Sequence, residues 1–187
     1  MENHYVAFLF TIAAALALSG CTSLVPSTLM RLNALDPFTA DPNDMAVALE
    51  LPAGLALQPG STEMMFKAVH SPSGETHQRD YTLQEQRTPD GLVIYILSPE
   101  DIADLEAMKV SLLPWKDTSD GNSMLSMGVH SDACRVPGIT IADDPRLSIL
   151  LRLEQDGPLR PLLRDGPILE YFDVGELAEL PQCGGPF

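Results

Sequence analysis

Thr88-Pro-Asp-Gly-Leu-Val-Ile-Tyr-Ile-Leu-Ser-Pro-Glu-Asp101 carries a turn, a strand and a helix start in direct succession. Asp90-Gly91 is a hairpin dipeptide, because glycine accepts the positive φ that tight turns demand. The unbroken apolar run Leu92-Val-Ile-Tyr-Ile-Leu97 is too short for a helix and suits a central strand. Ser98 then fits an N-cap, Pro99 the first helical position, and Glu100 and Asp101 the positive end of the helix dipole. Ile102, Leu105, Met108 and Leu112 follow at helical spacing, with Asp104, Glu106 and Lys109 on other faces. Pro114 bars continuation, so the spacing predicts one α-helix over about 99–112.

Outward from this stretch the period is that of strands. Residues 78–86 form a polar strand carrying Tyr81 and Leu83, and pair with 92–97 across the Asp-Gly turn. Met45, Val47, Leu49 and Leu51 alternate with Ala46, Ala48 and Glu50, as in a strand with one buried face, until Pro52 ends it. Residues 62–69 alternate less cleanly. Leu125, Met127 and Val129 alternate with Ser126, Gly128 and His130, and Leu147, Ile149, Leu151 and Leu153 with Ser148, Leu150, Arg152 and Glu154. Two late runs, 159–163 and 168–172, flank Arg164-Asp-Gly-Pro167 and are expected to pair with each other. About seven or eight strands with one α-helix predict a mainly β protein, an antiparallel β-sandwich or partial barrel, rather than an alternating βαβ fold. The alternating positions at 45–51, 125–129 and 147–153 should share a core.

The amino-terminal segment is of another kind. Tyr5-Val-Ala-Phe-Leu-Phe-Thr-Ile-Ala-Ala-Ala-Leu-Ala-Leu18 is apolar but shorter than the roughly 20 residues of a membrane-spanning helix, which suits the core of a signal peptide. Leu18-Ser19-Gly20-Cys21 closes it and resembles the lipobox of bacterial lipoproteins. That resemblance covers residues 1–21 only. It implies that Cys21 is acylated on sulfur with palmitate-type chains, that residues 1–20 are removed as a lipoprotein signal peptide, and that Cys21 becomes the first residue. Met1-Glu-Asn-His-Tyr5 departs from the pattern in lacking Lys or Arg; export tolerates this, or the true start differs from Met1. Thr22 stands where aspartate would favour the inner membrane, so the resemblance points to the outer membrane, with the body facing the periplasm. No cofactor is expected beyond the lipid on Cys21.

Residues 21–44 then read as a lipid-anchored tether. Prolines at 26, 37 and 42 argue against a long helix, while Leu24, Leu29, Met30, Leu32, Leu35 and Phe38 are too apolar for a solvated linker, so partial docking is expected. Residues 45–187 read as a single β-rich domain. The chain carries a formal net charge of −15 at pH 7. Such a field repels nucleic acid and anionic head groups, so no nucleic-acid partner is expected and the membrane is reached through acyl chains.

With Cys21 lipidated, Cys134 and Cys183 remain as an even pair in an oxidising compartment, and a disulfide is the first reading. Two buried thiols or a metal pair are the alternatives, although no CxxC or HxxxH spacing accompanies them.

Residues with catalytic potential are scattered. Nucleophile elbows, phosphate-binding glycine loops and zinc-peptidase histidine pairs are absent, so no catalytic and no metal-binding residue is assigned. His70 and His77 flank Ser71-Pro-Ser-Gly-Glu-Thr76, whose spacing brings two imidazoles together across a hairpin or leaves them on solvated loops; together with His130 they are expected to be dispersed. Asp117-Thr-Ser-Asp-Gly-Asn122 has glycine fifth rather than sixth and lacks the closing glutamate of an EF-hand, which makes it a connecting loop. Trp115 packs in the core beside the helix end or anchors a ligand. The expected function is a non-enzymatic binding, scaffolding or assembly module in an envelope complex; the alternative is a periplasmic hydrolase using scattered acids with His130 or His70.

Overall fold

The computed structural model describes residues 23–71, 73–89, 91–116, 123–170 and 173–184. Ten strands are β1 Met45–Glu50, β2 Leu55–Leu57, β3 Glu63–His70, β4 Glu75–Thr82, β5 Gln84–Arg87, β6 Val93–Ile96, β7 Ser123–His130, β8 Ala133–Arg135, β9 Arg146–Leu153 and β10 Arg160–Pro167. The α-helices are α1 Pro26–Ala34, α2 Pro99–Lys116 and α3 Val174–Glu179. Every strand pairing is antiparallel, giving sheets ordered β10-β9-β1-β6-β5, β4-β3-β7 and β2-β8. The molecule is mainly β and sandwich-like, as the alternation predicts.

The opening stretch folds as read. β5 and β6 pair from Gln84↔Ile96 to Arg87↔Val93. The turn closes with Gly91 N–H donating to the Thr88 carbonyl at 2.9 Å, at a Gly91 φ of +91°. The Ser98 hydroxyl accepts from Asp101 N–H at 3.1 Å, capping α2. Along α2, Leu105, Met108 and Leu112 are buried against Phe66, Ala68 and Tyr81 of β3 and β4 and against Val47 and Tyr95 of the larger sheet.

Residues 78–86 do not form one strand. Leu83 is buried, and its N–H leaves the ladder to donate to the Thr62 carbonyl at 2.8 Å. The chain bends there, so β4 joins the three-stranded sheet and β5 the five-stranded one, forming the corner that links the two layers. Helix α2 runs through Pro114 to Lys116 rather than stopping near residue 112. A proline removes one N–H donor, and two residues before the last helical residue that loss falls in the final turn.

Among the described residues two α-helices stand beyond the one expected. The prolines in 21–44 exclude a long helix but not the nine residues of α1, which uses Pro26 at its first position, where the missing N–H costs nothing. Helix α3 rests on a capping box between Asp173 and Glu176. The late runs do not pair either. Residues 168–170 form a 3-10 turn, and β10 continues through Arg164-Asp-Gly-Pro167 alongside β9, with irregularities either side of Leu163 and Asp165 at φ +47°.

Residues 36–44 lie on the domain. Phe38 packs against the main cluster, Pro42 is buried, and the ammonium of Lys109, only 6 % exposed, donates to the Ala40 carbonyl. A smaller core of Leu55, Ile168 and Leu177 occupies the carboxy-terminal end. There Cys134 and Cys183 are disulfide-bonded with Cα atoms 5.0 Å apart. Arg135 adds its N–H to the Pro181 carbonyl and accepts from Cys183 N–H, at 2.8 and 2.9 Å.

Candidate functional site

The two layers differ in width. Counted from the β4/β5 corner, the small sheet ends at its third strand, β7, while the large sheet continues through β9 and β10. The inward residues of β7 therefore lose part of their cover. Met127 is 37 % and Val129 46 % exposed, although both sit on the face whose neighbours Met64 and Phe66 are buried.

Beside them lies an apolar cleft of about 290 Å³. Met127, Gly128 and Val129 form one wall, and Met45, Val47, Leu151 and Leu153 of β1 and β9 line it as well. Leu32 of α1, Leu35 just after it and Leu162 of β10 line it too. Among the described residues of the lining Arg152 is the single charged one, and its Nε donates to the Asp44 carbonyl at 3.3 Å. The Tyr95 hydroxyl is the other titratable group; burial first, and the Glu85 charge second, raise its pKa above the usual tyrosine range. Such a lining is complementary to hydrocarbon or apolar side chains and offers few partners to polar groups.

Alternation places Leu125, Met127 and Val129 on one face, but no local pattern tells that the opposing sheet is wider than the sheet that carries them. Leu32 and Leu35 carry a weak signal, as apolar residues in a proline-punctuated segment.

The titratable residues are placed differently. His70, at the end of β3, stacks on Trp115 with ring centroids 5.0 Å apart, and His77 on β4 meets the same indole edge-on at 5.2 Å. The expected dispersal of the three imidazoles is thus wrong for this pair: the β3–β4 ladder sets Ala68 opposite His77, and Trp115 in the last turn of α2 reaches both rings. His70 Nδ1 lies 2.7 Å from the Ser73 hydroxyl, and its Nε2 is buried without a hydrogen-bond partner. His77 Nε2 lies 2.9 Å from Glu75 Oε1. His130 stands apart, 3.2 Å from Glu63 Oε2, on an exposed part of the surface and outside the cleft lining.

At the edge of the core, the buried Tyr81 donates to Oδ2 of the half-exposed Asp104 at 2.8 Å; burial first, then that hydrogen bond, pushes its pKa far above the ordinary value. No group of three or more His, Cys, Asp or Glu side chains fit to hold a metal occurs among the described residues. Cys21 and the loop 117–122 lie outside the described residues.

No family model, no curated protein and no solved structure matches the chain.

Proposed function

We propose that the protein is a lipid-anchored envelope protein, held by acyl chains on Cys21 at the periplasmic face of the outer membrane. There it acts as a non-enzymatic binding, scaffolding or assembly module whose ligand site is the apolar cleft. The observation that carries this reading is the cleft itself, a nearly uncharged cavity in a chain of net charge −15, with Met127 and Val129 left exposed on its wall. Exposed apolar surface rimmed by polar residues marks binding surfaces. The lipobox resemblance of Leu18-Ser19-Gly20-Cys21 supplies the anchor.

The path of the chain agrees with both parts. Arg164 N–H donates to the Ser23 carbonyl at 2.7 Å, and Val25 N–H to the Leu162 carbonyl at 2.9 Å, so the segment that follows Cys21 enters beside the cleft. An envelope partner engaged there sits close to the membrane. A hydrolase would draw on the His130–Glu63 pair, a base and a carboxylate that are solvent-exposed and stand outside the cleft lining.

Two measurements test the reading. Membrane fractionation should find the wild type with the outer membrane and the Cys21→Ser chain displaced from it. Mild crosslinking from a photoreactive residue at Met127 should capture a stoichiometric envelope partner, and Val129→Lys should abolish that capture. Soluble wild-type protein, or partner capture indifferent to Val129→Lys, would refute the reading.

A further inference from the structure

The cleft and the anchor site are near neighbours, and the chain length between them is short. Leu162 lines the cleft and accepts a hydrogen bond from Val25, while Ser23 is fixed to Arg164 on the same strand. Cys21 stands two positions before Ser23, a reach of about 7 Å when extended. An acyl chain that fills half of a roughly 30 Å hydrocarbon layer adds about 15 Å. Chains attached at Cys21 can therefore reach the wall formed by Leu32, Leu35 and Leu162. The cleft of about 290 Å³ is lined almost wholly by apolar side chains, as an acyl chain requires.

We propose that one acyl chain carried by Cys21 occupies the cleft whenever the bilayer does not hold it, so that the anchor covers the ligand site and membrane insertion uncovers it. The proposal rests on the lipoprotein reading above. Three features favour this occupant. It is hydrocarbon, as the lining is. It is covalently held within reach, which gives it an effective concentration in the millimolar range or above. It also explains why the segment after the anchor contributes Leu32 of α1 and the adjoining Leu35 to the lining rather than packing them away. The remaining chain or chains stay free for the membrane, so the protein keeps a foothold while the cleft is filled.

Metabolic labelling of cells with a diazirine-bearing palmitate analogue, followed by irradiation and peptide mass spectrometry, tests this on the full protein. The expected product is a Cys21 peptide joined through its lipid to a cleft peptide, above all one containing Met127–Val129 or Leu151–Leu153. A charge in a hydrocarbon site is costly, so Val129→Asp should lower that internal link about tenfold while leaving Cys21 labelled. Three other outcomes are distinct. Label on Cys21 that links only to bilayer lipids overturns the cleft proposal and leaves the lipoprotein reading standing. Cleft peptides carrying a lipid that is not joined to Cys21 assign the site to a membrane phospholipid and overturn it equally. No label on Cys21 overturns both.

Discussion

The two ends of the sandwich are built from similar strands and finished differently. At the corner, one chain bends at Leu83 and joins both sheets, and α2 lays Leu105, Met108 and Leu112 over Phe66 and Tyr81 until all are buried. At the opposite end β7 stops short of β9 and β10. The edges there differ too. β10 carries Pro161, Pro167 and irregular pairing, and is covered by residues 23–25; β7, Ser-Met-Leu-Ser-Met-Gly-Val-His, has neither charge nor proline to blunt it. The closed end spends its apolar residues on stability. The open end leaves equally apolar residues, Met127 and Val129, exposed.

The sharpest way to break this contrast is substitution at both ends. Phe66→Ala removes a ring only 1 % exposed and should cost about 3–5 kcal/mol in chemical denaturation. Met127→Ala or Val129→Ala should cost no more than about 0.5–1 kcal/mol, because half-open sites lose little packing. Comparable losses at both ends would show that the cleft is part of the core.

Next in size is the staple at the small carboxy-terminal core. Cys134 and Cys183 are separated by 49 positions, and closing such a loop stabilises a fold by up to roughly 4 kcal/mol in the chain-entropy model. Reduction should lower the denaturation midpoint accordingly while the strand signal in circular dichroism persists, since the main cluster shares no residue with the bridge. Loss of strand signal on reduction would mean that the closed end does not stand on its own packing.

A smaller, pH-dependent effect reports on the closed end. Tyr81 and Tyr95 both have pKa values raised in the folded state, chiefly by burial. Each stays protonated when the unfolded chain already ionises, so their stabilising effect is intact below the unfolded pKa and is lost as pH rises beyond about 10. Denaturation midpoints should fall above that pH, and the Tyr81→Phe variant should lose less of its stability over the same range. An unchanged slope in that variant would count against the Tyr81–Asp104 bond.

The sequence speaks clearly where chemistry is local. The Asp-Gly hairpin, the Ser98 cap, and strands 45–50, 123–130 and 146–153 follow from turn residues and period. What it hides is set by partners distant in sequence. Leu83 looks like any inward strand residue until Thr62 takes its N–H, and Pro114 looks like a stop until the helix is seen to run two residues beyond it. Met127 and Val129 read as core because alternation shows which face is inward but not how wide the opposing sheet is. The Trp115 contact to both His70 and His77 joins the end of α2 to a hairpin, and no spacing rule reaches that far.

The central claim, an anchored chain whose open end is a site, depends first on the state of Cys21. Intact-mass and amino-terminal peptide spectrometry of protein extracted from its own membrane measures that state directly. The account predicts a mature chain beginning at Cys21, with a diacylglyceryl group on sulfur and the label of a supplied fatty acid. A chain that retains residues 1–20, or begins elsewhere with Cys21 bearing a free thiol, would contradict it.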